Sequence, residues 1–117
     1  MLEKFPGESA LFDIDCTDLL AAGETITGAP VMSQLPAGLT GSDALTFGAA
    51  QVNTQAVTYP DGRVAAIGKA LQVRISGGTA KNAVDSRHYS VIATLTTTAG
   101  NTLVARAILS VMPPDPQ

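Results

Sequence analysis

The feature that most constrains the fold is the alternation of apolar and polar residues in the last third of the chain. Residues 71–76 alternate and then stop at Gly77-Gly78. Two longer runs rich in Val, Ile, Leu and Thr, residues 88–98 and 101–111, are joined through Ala99-Gly100. Alternation with a period of two is typical of strands with one buried face, and a glycine turn between two such runs indicates a hairpin. This stretch therefore predicts a strand, a glycine loop and a long antiparallel hairpin.

The two faces of the predicted hairpin differ in composition. The more uniformly apolar face is predicted to point into the core. In the first strand it consists of Tyr89, Val91, Ala93, Leu95 and Thr97, and in the second of Leu103, Ala105, Ala107, Leu109 and Val111. The opposite face also includes Ile92, Val104 and Ile108. Large apolar residues on an outward face suit coverage by a neighbouring subunit. We expect the core on one side of the hairpin and a contact surface on its back.

The segment 11–16 allows two local structures. As a strand it directs Phe12, Ile14 and Cys16 to one face and two aspartates to the other. As a helix it would extend further along the chain and gather on one side Leu11, Phe12, Cys16, Leu19 and Leu20. After the strand, a short helical turn is predicted, capped through Thr17-Asp18.

The middle of the chain is predicted to form short strands separated by turns. In chain order the strands span residues 24–33, which Pro30 makes either an edge strand or a bent one, residues 51–59, and residues 63–76 with a break at Gly68. Residues 34–50 contain one proline and three glycines and are expected to be a loop or an irregular sheet edge suited to partner contacts. Pro60-Asp61-Gly62 has the residue types of a tight turn.

The strand patterns together predict an all-β fold. No helical periodicity alternates with them, which favours an antiparallel β-sandwich over an alternating α/β fold. The composition agrees, because 45% of residues are hydrophobic but only 4% are aromatic, so the core is filled by Val, Leu, Ile and Ala. We predict an N-terminal arm outside the core over residues 1–10, a sandwich domain over 11–112 and a proline-rich C-terminal tail over 113–117.

Cysteine content and hydropathy bear on where the protein is made. Cys16 is the single cysteine, so the internal disulfides that staple many small secreted domains are not expected. No apolar run approaches the roughly 20 residues of a membrane-spanning helix, and the first residues lack the pattern of a signal peptide. We expect a soluble product in the cytoplasm.

The charge is distributed unevenly along the chain. Residues 1–24 carry six acids and Lys4, whereas residues 25–117 carry six bases and four acids. A binding surface for nucleic acid needs clustered basic residues, so nucleic-acid binding is not expected. The acidic front either is simply solvated or helps one copy dock on the body of another.

Enzyme chemistry finds little support in the sequence. His88 is the only histidine, and its nearest candidate partners for acid–base work are Asp85, Ser86 and Cys16. None of them stands in a nucleophile motif, so an ordinary surface or loop histidine is the preferred interpretation and no catalytic residue is assigned.

Metal, nucleotide and cofactor sites are not predicted either. Asp13, Asp15 and Asp18 have the carboxylate density of a calcium site but lack the glycine and terminal glutamate of a calcium loop. One cysteine and one histidine do not supply the four ligands of a structural zinc. Gly77-Gly78 follows a strand, but no phosphate-binding motif surrounds it and no helix pattern follows. We expect no cofactor and no small-molecule substrate.

The position of Tyr89 indicates which type of β-sandwich the chain forms. It stands near the start of the penultimate predicted strand, after a loop that crosses between sheets, where immunoglobulin-like sandwiches place a corner tyrosine. Such a ring packs in the core while its hydroxyl bonds nearby backbone. We therefore predict an immunoglobulin-like sandwich of about 6–8 strands, with Tyr89, Gly77, Gly78 and Gly100 as corner and turn residues.

Several short motifs also resemble a known family. They are Glu24-Thr25-Ile26 after Leu20-Ala21-Ala22-Gly23, the strand end Val73-x-Ile75-Ser76-Gly77-Gly78-Thr79-Ala80, Tyr89-Ser90-Val91, and Thr96-Thr97-Thr98-Ala99-Gly100-Asn101-Thr102. In this order, over roughly residues 13–111, the chain is similar to the small virion proteins of tailed bacteriophages of the fibre–tail adaptor or head–tail connector-region type. The chain departs from the pattern at residues 81–87, which are extra, and over 34–70, which is longer.

The resemblance implies a non-enzymatic virion protein at the neck, collar or tail-fibre attachment region, in several symmetric copies and present in the host cytoplasm during assembly. Its implied partners are connector, tail or fibre subunits. Alternatives are a capsid decoration protein with the same fold and, from another class, a carbohydrate-binding sandwich, which the absence of Trp disfavours. We expect subunit contacts from Phe5, Pro6 and Glu8 in the N-terminal arm and from Arg106 and Ile108 on the back of the hairpin.

Overall fold

The computed structural model describes residues 2–82 and 85–113, without the side chain of Ser42. Its strands are β1 (Leu2–Lys4), β2 (Ala10–Asp15), β3 (Ile26–Leu35), β4 (Leu45–Phe47), β5 (Gln51–Val52), β6 (Val57–Thr58), β7 (Val64–Ala65), β8 (Ala70–Gly77), β9 (Arg87–Thr97) and β10 (Thr102–Val111). Two 3₁₀ turns, Thr17–Leu19 and Gly41–Asp43, are the helical elements among these residues. Neither is long and apolar enough to cross a membrane. The all-β class is confirmed.

The strands form two main sheets and one small hairpin. The first sheet has four strands in the order β1-β10-β9-β3. The second has the order β2-β8-β4, with β5 also pairing with β8, and β6 and β7 form a separate two-stranded hairpin. Pairing is antiparallel everywhere except between β1 and β10, which are parallel.

The predicted hairpin of β9 and β10 is confirmed, together with the assignment of its faces. Leu95 pairs with Leu103 and Tyr89 pairs with Leu109 across the two strands. The predicted core face of β9 is buried along its whole length, while Val104 and Ile108 on the other face are exposed. Because side chains alternate between the faces of a strand, one register fixes both surfaces at once.

The core lies between the two main sheets. Ile14 of β2 and Leu71, Val73 and Ile75 of β8 belong to the same buried cluster as the inward face of β9 and β10. A core built from the inner faces of two sheets is consistent with a β-sandwich. The immunoglobulin-like type stays a prediction.

The strand interpretation of residues 11–16 is confirmed, and the helical alternative is wrong. In β2, Ile14 is buried while Leu11 is 54% exposed, as alternation requires. The predicted short turn follows at Thr17–Leu19, but Thr17 and Asp18 do not cap it: its N-cap residue is Cys16, without a side-chain capping bond. Just before it, Asp15 Oδ1 accepts from both Thr17 N and Thr17 Oγ1. The bend in β3 is also confirmed: its register shifts between Thr27 and Val31.

Of the two alternatives for residues 34–50, the irregular edge is confirmed, because β3 continues to Leu35 and β4 pairs with the end of β8 at the edge of the second sheet. The strand predicted over 51–59 is instead split into β5 and β6. Asn53 causes the interruption, since its Oδ1 accepts the backbone N–H groups of Gly68 and Ala70. A side chain that bonds backbone competes with strand pairing.

The N-terminal end of the chain differs from the predicted arm. The prediction that residues 1–10 lie outside the core is wrong for Lys4, which is 2% exposed because β1 pairs with Leu109–Val111 at the edge of the first sheet. An apolar alternation is too short to detect in three residues, so the sequence did not indicate this strand. Residues 114–117 of the predicted C-terminal tail lie outside the described residues. The division at residues 10 and 112 stays a prediction.

Candidate interaction surfaces

Tyr89 links β9 to two loops through its hydroxyl group. Its ring is fully buried. The hydroxyl donates to the Asp43 carbonyl oxygen at 2.6 Å and accepts from the Thr79 backbone N–H at 3.1 Å. Tyr89 therefore ties the loop before β4 and the loop after β8 to the core, a geometry that suits the predicted corner role.

The glycines at the end of β8 lie where the chain has no room for side chains. Gly77 has φ of 73°, and a Cβ built on it would lie 2.5 Å from the Ala44 carbonyl oxygen. Gly78 has φ of 82°, and its added Cβ would lie 2.8 Å from Leu45 Cδ2. Gly100, in the β9–β10 turn, also has φ of 82° but faces open space. Only glycine adopts such angles freely.

Lys4 is a buried residue that the sequence did not indicate. Its Nζ donates to the Gly77 carbonyl oxygen at 2.7 Å and to that of Phe5 at 2.9 Å. Burial lowers the pKa of the ammonium group below its ordinary value, against the opposing effect of Glu8. Because Gly77 ends β8 of the second sheet, this contact joins the edge of one sheet to the end of a strand in the other.

The predicted contact residues Phe5, Pro6 and Glu8 lie together in the turn after β1. Glu8 N donates to the Phe5 carbonyl oxygen at 3.2 Å, and the Glu8 carboxylate accepts from Phe5 N. The Phe5 side chain is 48% exposed. A depression of about 210 Å³ lies beside it, lined by Glu3, Lys4, Phe5, Glu8 and Met112.

The predicted contact residues Arg106 and Ile108 lie on the outward face of the first sheet. The register aligns three rows across β3, β9 and β10: Val31–Thr94–Val104, Ser33–Ile92–Arg106 and Leu35–Ser90–Ile108. Val31 is 67% exposed, and Val104 and Ile108 are 48% and 42% exposed. We name these three rows the outer face; it is an exposed sheet surface with apolar residues around a central arginine.

A cleft of about 340 Å³ lies at the side of the molecule between β2 and β10. We name it the lateral cleft. Arg63 bonds Asp61 at 2.7 Å and reaches Asp15 at 3.4 Å on one wall. Two buried atoms have no partner among the described residues, namely Asp13 Oδ1 and the Tyr59 hydroxyl. Burial, followed by the charges of Asp15 and Asp13, raises the pKa of Tyr59 to about 12. The lining residues are Leu2, Asp13, Ile14, Asp15, Tyr59, Arg63, Arg106, Ala107 and Ile108.

The weak candidates for chemistry are not brought together. His88 is exposed, and its nearest predicted partner is Ser86, whose Oγ lies 3.5 Å from Nε2. Cys16 is buried in the core, where burial raises the pKa of its thiol to about 11 and keeps it unreactive at neutral pH. In residues 2–82 and 85–113 no three side chains of His, Cys, Asp or Glu form a group that would hold a metal ion.

Comparison with known proteins adds a family assignment. Residues 4–110 match the family described as podophage GP4 fiber-tail adaptor protein gp77. The chain belongs to this family. Membership supports a structural adaptor role in a bacteriophage. Comparisons with curated proteins and with solved structures gave no match.

One residue of the family-matched region acts as a polar centre that the sequence did not reveal. The Glu24 carboxylate accepts from Thr97 Oγ1 at 2.6 Å, from Asn101 Nδ2 at 2.9 Å and from Ala21 N at 2.9 Å. These bonds, led by that from Thr97, lower the pKa of Glu24 below its ordinary value. Glu24 thus fixes the entry to β3 against the β9–β10 turn. Its place in the Glu24-Thr25-Ile26 motif was the available signal.

Proposed function

We propose that this fiber-tail adaptor family member is a non-enzymatic structural protein at the neck, collar or tail-fibre attachment region of a podophage virion. It joins other virion proteins through its exposed faces, edges and loops. The observation that carries the proposal is the family match over residues 4–110. Its partners are connector, tail or fibre subunits, and it occupies the host cytoplasm during assembly and the virion afterwards.

The structure offers two separate surfaces for such contacts. The first is the outer face, with its exposed valines and Ile108 around Arg106. The second is the turn of Phe5, Pro6 and Glu8. The turn follows Lys4, which pairs with Val111 of β10. Arg106 of the outer face precedes Val111 by five positions on the same strand. At about 3.3 Å per residue, the two surfaces are therefore roughly 17 Å apart. Two surfaces at that spacing allow one molecule to contact two neighbours, as an adaptor must.

The apolar residues of the outer face also support assembly into a homo-oligomer. The large apolar side chains of Val31, Val104 and Ile108 are exposed on the same sheet face. An exposed group of apolar residues on one face is typical of a protein–protein contact site. In the assembled particle these side chains are covered by a neighbouring copy or by another virion protein, with Arg106 pairing to an acidic or carbonyl group.

Fractionation of purified virions tests the proposal. Tails and necks released from capsids are separated, and the chain is quantified in each fraction by mass spectrometry against the major capsid protein. Recovery with the neck and tail fraction at a few copies per particle supports the adaptor role. Recovery with capsids in numbers close to those of the capsid protein would instead identify a decoration protein, and absence from virions would refute both.

The non-enzymatic assignment has its own test. The purified chain is assayed against a broad panel of hydrolase substrates beside the His88→Ala variant. We expect no turnover from either protein. Turnover by the parent that the variant loses would show that His88 is catalytic.

A further inference from the structure

The edge of β10 is only partly covered. On one side β10 pairs with β9 along its whole length. On the other side β1 pairs with Leu109–Val111 alone. Over residues 102–108 no strand among the described residues lies on that side. An uncovered strand edge presents a row of unpaired backbone groups that can template a further strand.

The hydrogen bonds show which backbone groups face the open side. Met112 N donates to the Lys4 carbonyl oxygen at 2.8 Å, so Met112 directs its N–H toward β1. Alternate residues of a strand direct their backbone groups to the same side. Val104 and Arg106 therefore direct their N–H and C=O groups to the open edge. Both residues are exposed, and no backbone bond joins these groups to another described residue.

The open edge borders the lateral cleft. Arg106, Ala107 and Ile108 form one wall, and the opposite wall holds Asp13 Oδ1 and the Tyr59 hydroxyl. Both of those atoms are buried without a partner in the part of the chain that the structure describes. Buried polar atoms in folded proteins are rarely left unsatisfied. Both atoms are shielded from solvent, so an enclosed polar region lies beside the open edge.

We propose that an extended segment of a neighbouring virion protein adds to β10 over residues 102–108 and fills the lateral cleft. Its backbone pairs with Val104 and Arg106, and its side chains lie against the cleft wall that contains Asp13 and Tyr59. This inference rests on the proposed adaptor function and names how the partner binds. Strand addition is a general mode of peptide recognition, and β1 already uses the same edge three residues further along.

A lone segment fits this place better than the sheet edge of a second copy. The open edge is flanked by β2 and by the β6–β7 hairpin, which supplies Tyr59 and Arg63 to the cleft. A second copy would bring its own β2 and hairpin against the same elements. A single strand carries no such flanking structure, so it fits the edge and the cleft beside it.

Amide hydrogen exchange tests the proposal directly. Exchange at Val104 and Arg106 is compared between the isolated chain and the same chain in purified virions. We expect fast exchange in the isolated chain and slowing by more than about tenfold in virions. The amide of Ala105, which faces β9, serves as an internal reference protected in both. Unchanged exchange in virions that contain the chain would overturn this inference, whereas a chain absent from virions would overturn the proposed function.

A proline variant provides an independent test. Val104→Pro removes only an N–H that has no partner in the isolated chain, and proline is tolerated where a strand edge faces solvent. We expect Val104→Pro to enter virions at least about tenfold less than Val104→Ala. Equal incorporation of the two variants would refute strand addition.

Two further measurements cover a variant that fails to fold and a second copy that binds the same edge. If Val104→Pro does not fold, Arg106→Pro replaces it, because the Arg106 N–H also faces the open edge; incorporation equal to that of Arg106→Ala would then count against the proposal. Protection of Val104 and Arg106 that appears in the isolated chain as its concentration is raised would show that a second copy, not a partner segment, occupies the edge.

Discussion

Tyr89 and Tyr59 are two tyrosines whose hydroxyl groups have opposite surroundings. The Tyr89 hydroxyl bonds Asp43 O and Thr79 N, whereas the Tyr59 hydroxyl is buried and has no partner within residues 2–82 and 85–113. Tyr89→Phe leaves two backbone groups without a partner, and we expect it to lower the free energy of unfolding by about 1–3 kcal/mol. Tyr59→Phe removes an unsatisfied group and is expected to be neutral or stabilising. Urea denaturation of both variants measures the difference.

This pair of variants is internally controlled, since each loses one oxygen from the same side chain. Equal losses of stability would show that the bonds of Tyr89 do not contribute to the fold. A large loss in Tyr59→Phe alone would mean that its hydroxyl has a partner in solution.

Glu24 makes stability depend on acid pH. Its hydrogen bonds to Thr97, Ala21 and Asn101 depress the pKa of the folded state. A depressed pKa means that the unfolded state binds the proton more tightly, so the stabilising contribution is present above the unfolded pKa of about 4.5 and is lost as pH falls through the folded pKa. We expect Glu24→Gln to reduce the loss of stability below pH 4.5, measured by urea denaturation across pH.

The matched control for this prediction is Asp18→Asn, which removes an exposed carboxylate from the preceding 3₁₀ turn. A pH dependence that is the same in Glu24→Gln and the parent would contradict the assignment. A change seen equally in both variants would attribute the effect to net charge instead.

At the scale of elements, the end of β8 and the turn between β9 and β10 both depend on glycine, but for different reasons. The Cβ added by Gly100→Ala would lie in open space, so the unfavourable φ is the only expected cost, about 1–2 kcal/mol of stability. Gly77→Ala suffers the same φ cost, and its Cβ also collides with the Ala44 carbonyl oxygen. We expect Gly77→Ala to be the more destabilising of the two, as thermal unfolding followed by circular dichroism will show.

Equal destabilisation by the two alanine variants would contradict the close approach of β8 to residue 44. In that case the loop before β4 would have to move freely in solution. The bond from Tyr89 to Asp43 in the same loop argues for a fixed position.

At the scale of the whole molecule, the outer face is expected to act in assembly and not in folding. Val31 is 67% exposed, so Val31→Asp should change the free energy of unfolding by no more than about 0.5 kcal/mol. A charge on a covered apolar face is costly, so we expect the same variant to enter virions poorly. Mass spectrometry of purified particles measures its incorporation.

Ile67→Asp is the control, because Ile67 is 61% exposed in the turn between β7 and β8 and belongs to none of the three strands of the outer face. Incorporation of both variants at the level of the parent would show that the outer face makes no contact needed for assembly into the virion. Loss of both would indicate a general effect of added charge.

The sequence by itself determined the all-β class and the long hairpin of β9 and β10, with the inward and outward faces of both strands. The physical reason is that alternation, β-branched residues and glycine turns act locally, between residues close in the chain. The same local rules placed the Pro60-Asp61-Gly62 turn, where Gly62 N donates to the Tyr59 carbonyl oxygen at 2.9 Å. The family motifs extended the prediction to a virion adaptor.

Only the tertiary structure decided which distant groups meet. Lys4 reaches the carbonyl of Gly77 across 73 positions, and Glu24 reaches Thr97 across the same separation. The lateral cleft likewise joins Asp13, Tyr59 and Arg106 from three separate parts of the chain. Nothing in a local pattern encodes such contacts, because they follow from how the two sheets pack and from where short β1 ends. The uncovered edge of β10 and the unpartnered atoms beside it became visible only when both sheets were in place.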